Sequence, residues 1–224
     1  FARAIITTDL VLKEIAINVP EFDFTVGGCA KGSGMIHPDM ATMLAFITTD
    51  ARVGGNLLRM ILKKAVDRSF NLISVDGDTS PNDSVFLLAN GARCGNEIRD
   101  KTPQETALAA AVEYICVFLA KSIARDGEGA SKLIEFCVTG AASTEDARLI
   151  LRSVLSSPLV KTAVHGSDPN WGRIIAAAGR SGAGFDFKRV SLSIGGVKLL
   201  QDGRPLPFNE DEASASMQSE EVFV

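Results

Sequence analysis

The chain has 224 residues, of which 46% are hydrophobic, 22% charged and 6% aromatic, and its net charge is −4. That length allows one large domain or two small ones with a sizeable buried core. One Trp, one Tyr and no basic cluster exclude a usual nucleic-acid footprint, and no apolar run approaches the roughly 20 residues of a membrane span, so neither partner class is expected.

The chain opens on Phe1, inside an apolar run, and stops at Glu221-Val222-Phe223-Val224, which reads as a strand in progress. Both ends read as cut, so the lack of a leader at Phe1 says nothing about export or organelle targeting. Ala4 to Thr8 reads as a strand, and Phe24 to Val26 as the end of another that runs into Gly27-Gly28. From Asn56 to Phe70, Leu57, Ile61, Ala65 and Phe70 recur at helical spacing. Leu72 to Val75 reads as a short strand, turned by Asp76-Gly77-Asp78 toward a second strand at Ser84 to Leu88.

Thr102-Pro103-Gln104-Glu105 is a helix start with a Thr cap, Pro in the first turn and Glu three residues after the cap. That helix is expected to reach about Arg125, with Ala107, Ala110, Ala111, Tyr114, Phe118 and Ile123 on its packed face. Lys132 to Val138 reads as a strand, Thr144 to Leu155 as a helix, Val160 to Val164 as a strand, and Asn170 to Arg180 as a short helix capped by Asp168 or Asn170. Val190 to Ile194 and Val197 to Gln201 flank Gly195-Gly196, a two-residue hairpin signal. The whole is an α/β chain, a layered sheet packed by helices with at least one antiparallel pair. One continuous core is expected, with a smaller C-terminal α/β lobe from about residue 130.

The four cysteines, Cys29, Cys94, Cys116 and Cys137, form no Cys-x-x-Cys pair. Cys29, Cys116 and Cys137 lie in apolar stretches and read as small buried hydrophobes, which fits a reducing compartment. The two histidines, His37 and His165, have no second His at ligand spacing, so no metal site is expected. His37 reads as a loop residue.

The stretch richest in chemistry runs from Gly27 to Leu44: GGCAKGSGMIHPDMATML. It reads as a glycine-dense loop with one lysine, followed by an apolar strand pattern after Thr42. Glycines let backbone approach a ligand closely, and Lys31 in their midst suggests an anionic group, phosphate or carboxylate. The spacing of a phosphate-binding loop, Gly, four residues, then Gly-Lys-Ser/Thr, is absent.

Lys31-Gly32-Ser33-Gly34-Met35-Ile36-His37-Pro38-Asp39-Met40-Ala41-Thr42-Met43-Leu44 resembles the self-cleavage signature of the ornithine acetyltransferases, also called glutamate N-acetyltransferases. Thr7-Thr8-Asp9, the stretch Asp76 to Asp83, the turn Asp126-Gly127-Glu128-Gly129-Ala130 and Asp168-Pro169-Asn170-Trp171-Gly172-Arg173-Ile174 are similar to the same family in the same order. Pro81 stands where the family usually has threonine.

The resemblance implies a sheet-and-helix sandwich of the N-terminal-nucleophile-like type with a mixed or antiparallel sheet. It implies self-cleavage between Ala41 and Thr42, so that residues 1–41 end an alpha fragment and residues 42–224 belong to a beta fragment. Thr42 would then be the catalytic nucleophile and its freed α-amino group the base. Substrate contacts would come from Thr42 itself, from Lys31, from Glu128 and from one of Thr7 and Thr8. The implied reaction moves an acetyl group from N-acetylornithine to glutamate without metal or organic cofactor, with acetyl-CoA as a further donor in some members. Associated alpha and beta fragments, a heterotetramer, and a cytoplasmic location (organellar in a eukaryote) are implied as well. The family's oxyanion-hole Thr-Gly pair would precede Phe1, and its last pocket residues, an Asn and a Thr, would follow Val224. Two other readings remain open: a related N-terminal-nucleophile aminopeptidase, with water as acceptor, and a non-catalytic domain holding a phosphorylated ligand.

Overall fold

Thr102 caps the longest helix as the sequence indicates: its side chain accepts the Glu105 N–H at 3.2 Å, and Pro103 occupies the first turn, where a missing N–H costs nothing. The structure, a computed structural model, describes residues 1–37, 43–78, 80, 82–93 and 95–224. The described chain divides into two compact units, Phe1–Glu128 and Gly129–Val224.

The first unit is built on a four-stranded mixed sheet in the order β1 (Lys13–Val19), β2 (Phe24–Lys31), β3 (Leu44–Thr49), β4 (Ser84–Ala89). β1 with β2 and β2 with β3 are antiparallel, and β3 with β4 is parallel. The short helix α1 (Ala2–Ile5) precedes it, α2 (Gly55–Asp67) connects β3 to β4, and α3 (Pro103–Arg125) follows. One face carries the core: Phe24, Val26, Ala30, Ala45 and Ile47 meet Leu108, Val112, Ile115, Leu119 and Ile123 of α3 and Ile61 and Ala65 of α2. At Gly28 strand β2 approaches helix α3 closely. A Cβ built there would lie 2.8 Å from Ile115 Cγ2, so the strand can cross α3 only with glycine at that point. On the opposite face Phe46 stacks on Phe86 at 5.1 Å and meets Phe1 edge-on at 4.9 Å.

The second unit has a parallel pair, β5 (Leu133–Glu135) with β9 (Glu221–Phe223), and an antiparallel set, β6 (Leu192–Ile194), β7 (Val197–Gln201) and β8 (Arg204–Pro205). The β6–β7 turn uses Gly195 and Gly196, both at positive φ, the two-glycine signal expected of a tight hairpin. Helices α4 (Thr144–Leu155), α5 (Pro158–His165), α6 (Trp171–Gly179) and α7 (Glu210–Ser216) complete it. Val154, Val160, Val164, Ile174, Leu199, Met217 and Val222 form its own core. Asn170, rather than Asp168, caps α6 by accepting the Arg173 N–H at 3.3 Å. Lys132 donates to the carbonyls of Val164 and Met217, placing its charge at the negative end of α5.

Several sequence expectations are corrected. Residues 4–8 are not a strand: Ala2–Ile5 form one helical turn, as the good helix formers Ala2, Arg3 and Ala4 permit. Residues 72–75 form no strand, because Phe70–Leu72 is a 3₁₀ turn. Val160–Val164 is helical, since Pro158 starts α5 and Val160, Ala163 and Val164 then share its buried face. The buried face of α3 matches the expected one only in part: Ala111 and Ile123 are inside as expected, together with Leu108, Val112, Ile115 and Leu119, while Tyr114 and Phe118 are exposed. Gly27 to Lys31 belong to β2, so the glycine-rich loop begins only at Gly32. Cys116 is buried, but Cys29 is half-buried and Cys137 exposed, and Cys94 lies outside the described residues. By length and composition α3 also suffices to cross a membrane, contrary to the expectation that no run comes near it. Its apolar residues form the core of the first unit.

Candidate active site

Lys31 ends β2 opposite Leu44, the first residue of β3. It is 9% exposed, and among the described residues no carboxylate lies within ion-pair distance of it. Beyond it the chain turns at Gly32, whose φ of +146° and close approach to Met43 favour a residue without Cβ.

Three loops meet around this turn. Asp9, Lys13 and Asp126 form a buried charged triad: Lys13 Nζ donates to Asp9 Oδ1 at 2.6 Å and to Asp126 Oδ2 at 2.5 Å. The side chains of Lys13 and Asp9 have no exposed surface, and that of Asp126 has 4%. Both carboxylates also hold backbone. Asp9 accepts the Gly32 N–H at 2.7 Å and the Thr7 N–H at 3.3 Å, and Asp126 accepts the Leu10 N–H at 3.0 Å. Burial works to raise the Asp9 pKa, but the donors Gly32, Lys13 and Thr7 outweigh it and hold the carboxyl below its usual value.

The consequence is that two of the predicted substrate residues, Thr8 and Glu128, meet at Ser33. The Thr8 and Ser33 hydroxyls lie 2.7 Å apart, and Glu128 donates its N–H to the Ser33 carbonyl at 2.7 Å. The Glu128 carboxylate, on an exposed residue, covers Gly34 so closely that a Cβ there would sit 2.8 Å from Glu128 Cδ. Thr7 turns its amide to Asp9, while Thr8 turns its hydroxyl to the Gly32–Gly34 loop. Ala41 and Thr42, the expected cleavage site and nucleophile, lie outside the described residues.

Asp76 and Asp83 hold the backbone at Met35, Ile36 and Met43. Asp76 accepts the N–H groups of Met35 and Ile36 at 2.5 and 3.1 Å, and Val75 donates to the Ile36 carbonyl at 2.7 Å. His37 Nδ1 lies 3.1 Å from the Ser74 hydroxyl. Asp83 accepts the Met43 N–H at 2.6 Å. Burial pushes its carboxyl up to about 6, against the lowering effects of that amide and of Lys31. Thr79 and Pro81 of this segment lie outside the described residues. Among the described residues no group of His, Cys, Asp and Glu has metal-ligand geometry.

Sequence reasoning missed Lys13 altogether and treated Asp9, Ser33, Asp83 and Asp126 only as members of motifs. Asp9 and Lys13 are four residues apart, but Asp126 joins them from 113 residues away, and nothing local announces such a partner. The groove on the sheet face opposite α2 and α3, lined by Phe1, Ala2, Cys29, Phe46, Thr48 and Leu88 among others, contains none of the predicted site residues.

A mixed sheet with α2 and α3 packed on one face, and a glycine turn beside a buried lysine at the β2–β3 junction, make this an α/β protein. A crystal structure of the arginine biosynthesis bifunctional protein ArgJ from Bacillus halodurans superposes with a TM-score of 0.76 at 40% identity, covering 79% of this chain and 83% of that one. Together these features and this likeness agree with the N-terminal-nucleophile-like sandwich class that the resemblance implied. The sequence model of the ArgJ family matches residues 1–224, and the chain belongs to that family. Relatives bearing the same name include those of Dehalococcoides mccartyi, 54% identical over 100% of this chain and 56% of that protein, and of Synechococcus, 54% identical over 95% of this chain and 52% of that protein. The chain thus spans about half the length of the curated relatives it matches.

Proposed function

We propose that the protein is an acetyltransferase of arginine biosynthesis, moving an acetyl group from N-acetylornithine to glutamate through an acetyl ester on Thr42. Membership of the ArgJ family supports this reading, as do relatives whose names place them in arginine biosynthesis. The observation that carries it within this chain is Lys31: a lysine only 9% exposed, with no ion-pair partner among the described residues, is suited to an anionic ligand. An amino-acid carboxylate is such a ligand.

In this mechanism the Thr42 hydroxyl attacks the Ala41 carbonyl, the acyl group passes from nitrogen to oxygen, and water hydrolyses the ester. The products are a carboxylate on Ala41 and a free α-amino group on Thr42. That amine has a reference pKa of about 7.7–8.0, so a useful fraction is neutral near pH 7 and accepts the proton of the hydroxyl beside it. The hydroxyl oxygen then bonds to the acetyl carbon of N-acetylornithine, the amide C–N bond breaks, and the proton leaves with ornithine. Glutamate's neutral amine attacks the ester, yielding N-acetylglutamate and restoring the hydroxyl. No metal or organic cofactor enters.

Lys31 pairs with the substrate carboxylate, and Glu128 holds a substrate amino group. Thr8 rather than Thr7 takes the threonine role, because its hydroxyl faces the loop that follows Lys31. The word bifunctional in the relatives' names suggests acetyl-CoA as a second donor. The two fragments remain associated, as a heterotetramer, and the location is cytoplasmic.

Two measurements test the reading on a chain of the family's full length. Intact mass is expected to show two fragments meeting at Ala41/Thr42, and Thr42→Ala an uncut chain. With N-acetylornithine as donor, N-acetylglutamate is expected to form only when glutamate is present. Free acetate formed at the same rate without glutamate would instead identify a hydrolase.

A further inference from the structure

Asp83 does two things that the reaction sequence above does not use. Its Oδ1 accepts the Met43 N–H at 2.6 Å, and the next residue, Ser84, donates its own N–H to the Met43 carbonyl at 3.2 Å. Both polar backbone groups of Met43 are therefore held from the end of the Asp76–Asp83 segment. Met43 N is the amide nitrogen bonded to the carbonyl carbon of Thr42, so whatever holds that amide holds the peptide bond that joins the proposed nucleophilic residue to the rest of its fragment.

The second carboxylate oxygen is the unexplained one. Asp83 is 7% exposed, and its Oδ2 is buried without a hydrogen-bond partner among the described residues. A buried carboxylate oxygen without a donor is costly and calls for a functional or protonation-dependent explanation. The charged group whose field reaches it among the described residues is Lys31, at the end of β2. The segment's other carboxylate that binds backbone, Asp76, is engaged by Met35, Ile36 and Asp78.

We propose that Asp83 is a positioning residue of the acyl-transfer centre. It anchors the start of the nucleophile-bearing fragment through the Met43 amide and, by its ionisation, makes that anchor depend on pH. The ionised carboxylate is the stronger acceptor and grips the amide, whereas protonation loosens it. The proposal rests on the acetyl-transfer reading for its effect on rate, but not for the contact itself.

The test combines a titration without turnover with a kinetic profile, on protein of the family's full length. In protein labelled with ¹⁵N-methionine, the Met43 amide is expected to titrate with a midpoint near the Asp83 value of about 6, and Asp83→Asn to abolish that titration. In the assay, protonation of the Thr42 amine already lowers kcat below about pH 7.7–8.0, and wild type is expected to steepen that fall as pH drops through the Asp83 midpoint, whereas D83N keeps only the amine's limb. Asp83→Ala, which also removes the acceptor, is expected to lower kcat by about tenfold or more while KM for N-acetylornithine stays nearly constant, as a misplaced reacting group would. A Met43 amide that does not titrate, or a D83N profile as steep through the Asp83 midpoint as the wild-type one, overturns the proposal, and should D83A fail to fold, the two D83N readouts still decide. A wild-type protein that is uncut and inactive sinks the acetyl-transfer reading instead, and leaves the Met43 titration to judge Asp83.

Discussion

Lys13→Met tests whether the buried triad organises the site. The replacement keeps most of the side-chain volume, so the cavity contribution is small and the loss is electrostatic. It leaves Asp9 and Asp126 facing each other with their common cation gone, both essentially without exposed surface. Removing one partner of a buried ion pair costs about 3–5 kcal/mol, because an uncompensated charge remains inside. Backbone donors to both carboxylates limit the damage, which places the expected loss near the lower end, about 3 kcal/mol. For a chain of this size that lowers Tm by roughly 10 °C. Chemical denaturation measures the loss, and hydrogen exchange at the Gly32 and Leu10 amides localises it, since these are the amides that Asp9 and Asp126 accept. A variant within about 1 kcal/mol of wild type, with unchanged exchange at both amides, would refute the idea that the triad holds the three loops together.

Asp83→Asn makes a stability prediction of its own. The folded carboxyl titrates near 6 against a reference of 3.8, so the unfolded chain releases its proton first and wild-type stability falls as pH rises from 3.8 to about 6. D83N lacks that fall, so its Tm relative to wild type is expected to rise across this interval, and a constant difference in scanning calorimetry would contradict the burial argument. Asp9 works in the opposite sense: its lowered pKa contributes stability above 3.8 that is lost as pH falls below that value, and D9N is expected to flatten the acid limb of the unfolding profile. Gly28→Val should destabilise the first unit by about 1–3 kcal/mol, because its side chain would displace Ile115 and Leu119. A urea midpoint unchanged from wild type would mean that the β2–α3 contact is looser than it stands here. Lys31→Met is expected to raise KM for N-acetylornithine by about tenfold or more, the loss of one charged hydrogen bond at 1.5–3 kcal/mol, with Tm unchanged or raised. An unaltered KM would remove Lys31 from the substrate carboxylate.

What the sequence made legible follows the range of the forces involved. The Thr102 cap, the Pro103 start and the Gly195-Gly196 hairpin are local devices, and each stands where its residues place it. Val160 to Val164 was misread because β-branched residues favour strands, while the first-turn Pro158 and burial on one face favour a helix, and tertiary packing decided. Tyr114 and Phe118 were expected on the packed face with Ala111 and Ile123, but the α3 face that meets Gly28 is set by Ile115 and Leu119. At the site, Lys31 was legible from its glycine-dense surroundings as a residue for an anion, Thr8 and Glu128 only through family motifs, and the fold brings Thr8 and Glu128 to the same Ser33. Lys13 and Asp83 act through partners 113 and 40 residues distant, and no spacing rule reaches that far.

The central claim is that an acetyl group rests on Thr42 between donor and acceptor. A brief incubation of full-length protein with N-acetylornithine alone, followed by acid quench and fragment mass spectrometry, tests it most directly. The account predicts that the fragment beginning at Thr42 gains the mass of one acetyl group, removed again by adding glutamate. An unacetylated fragment in a protein that still transfers acetyl at full rate would contradict it.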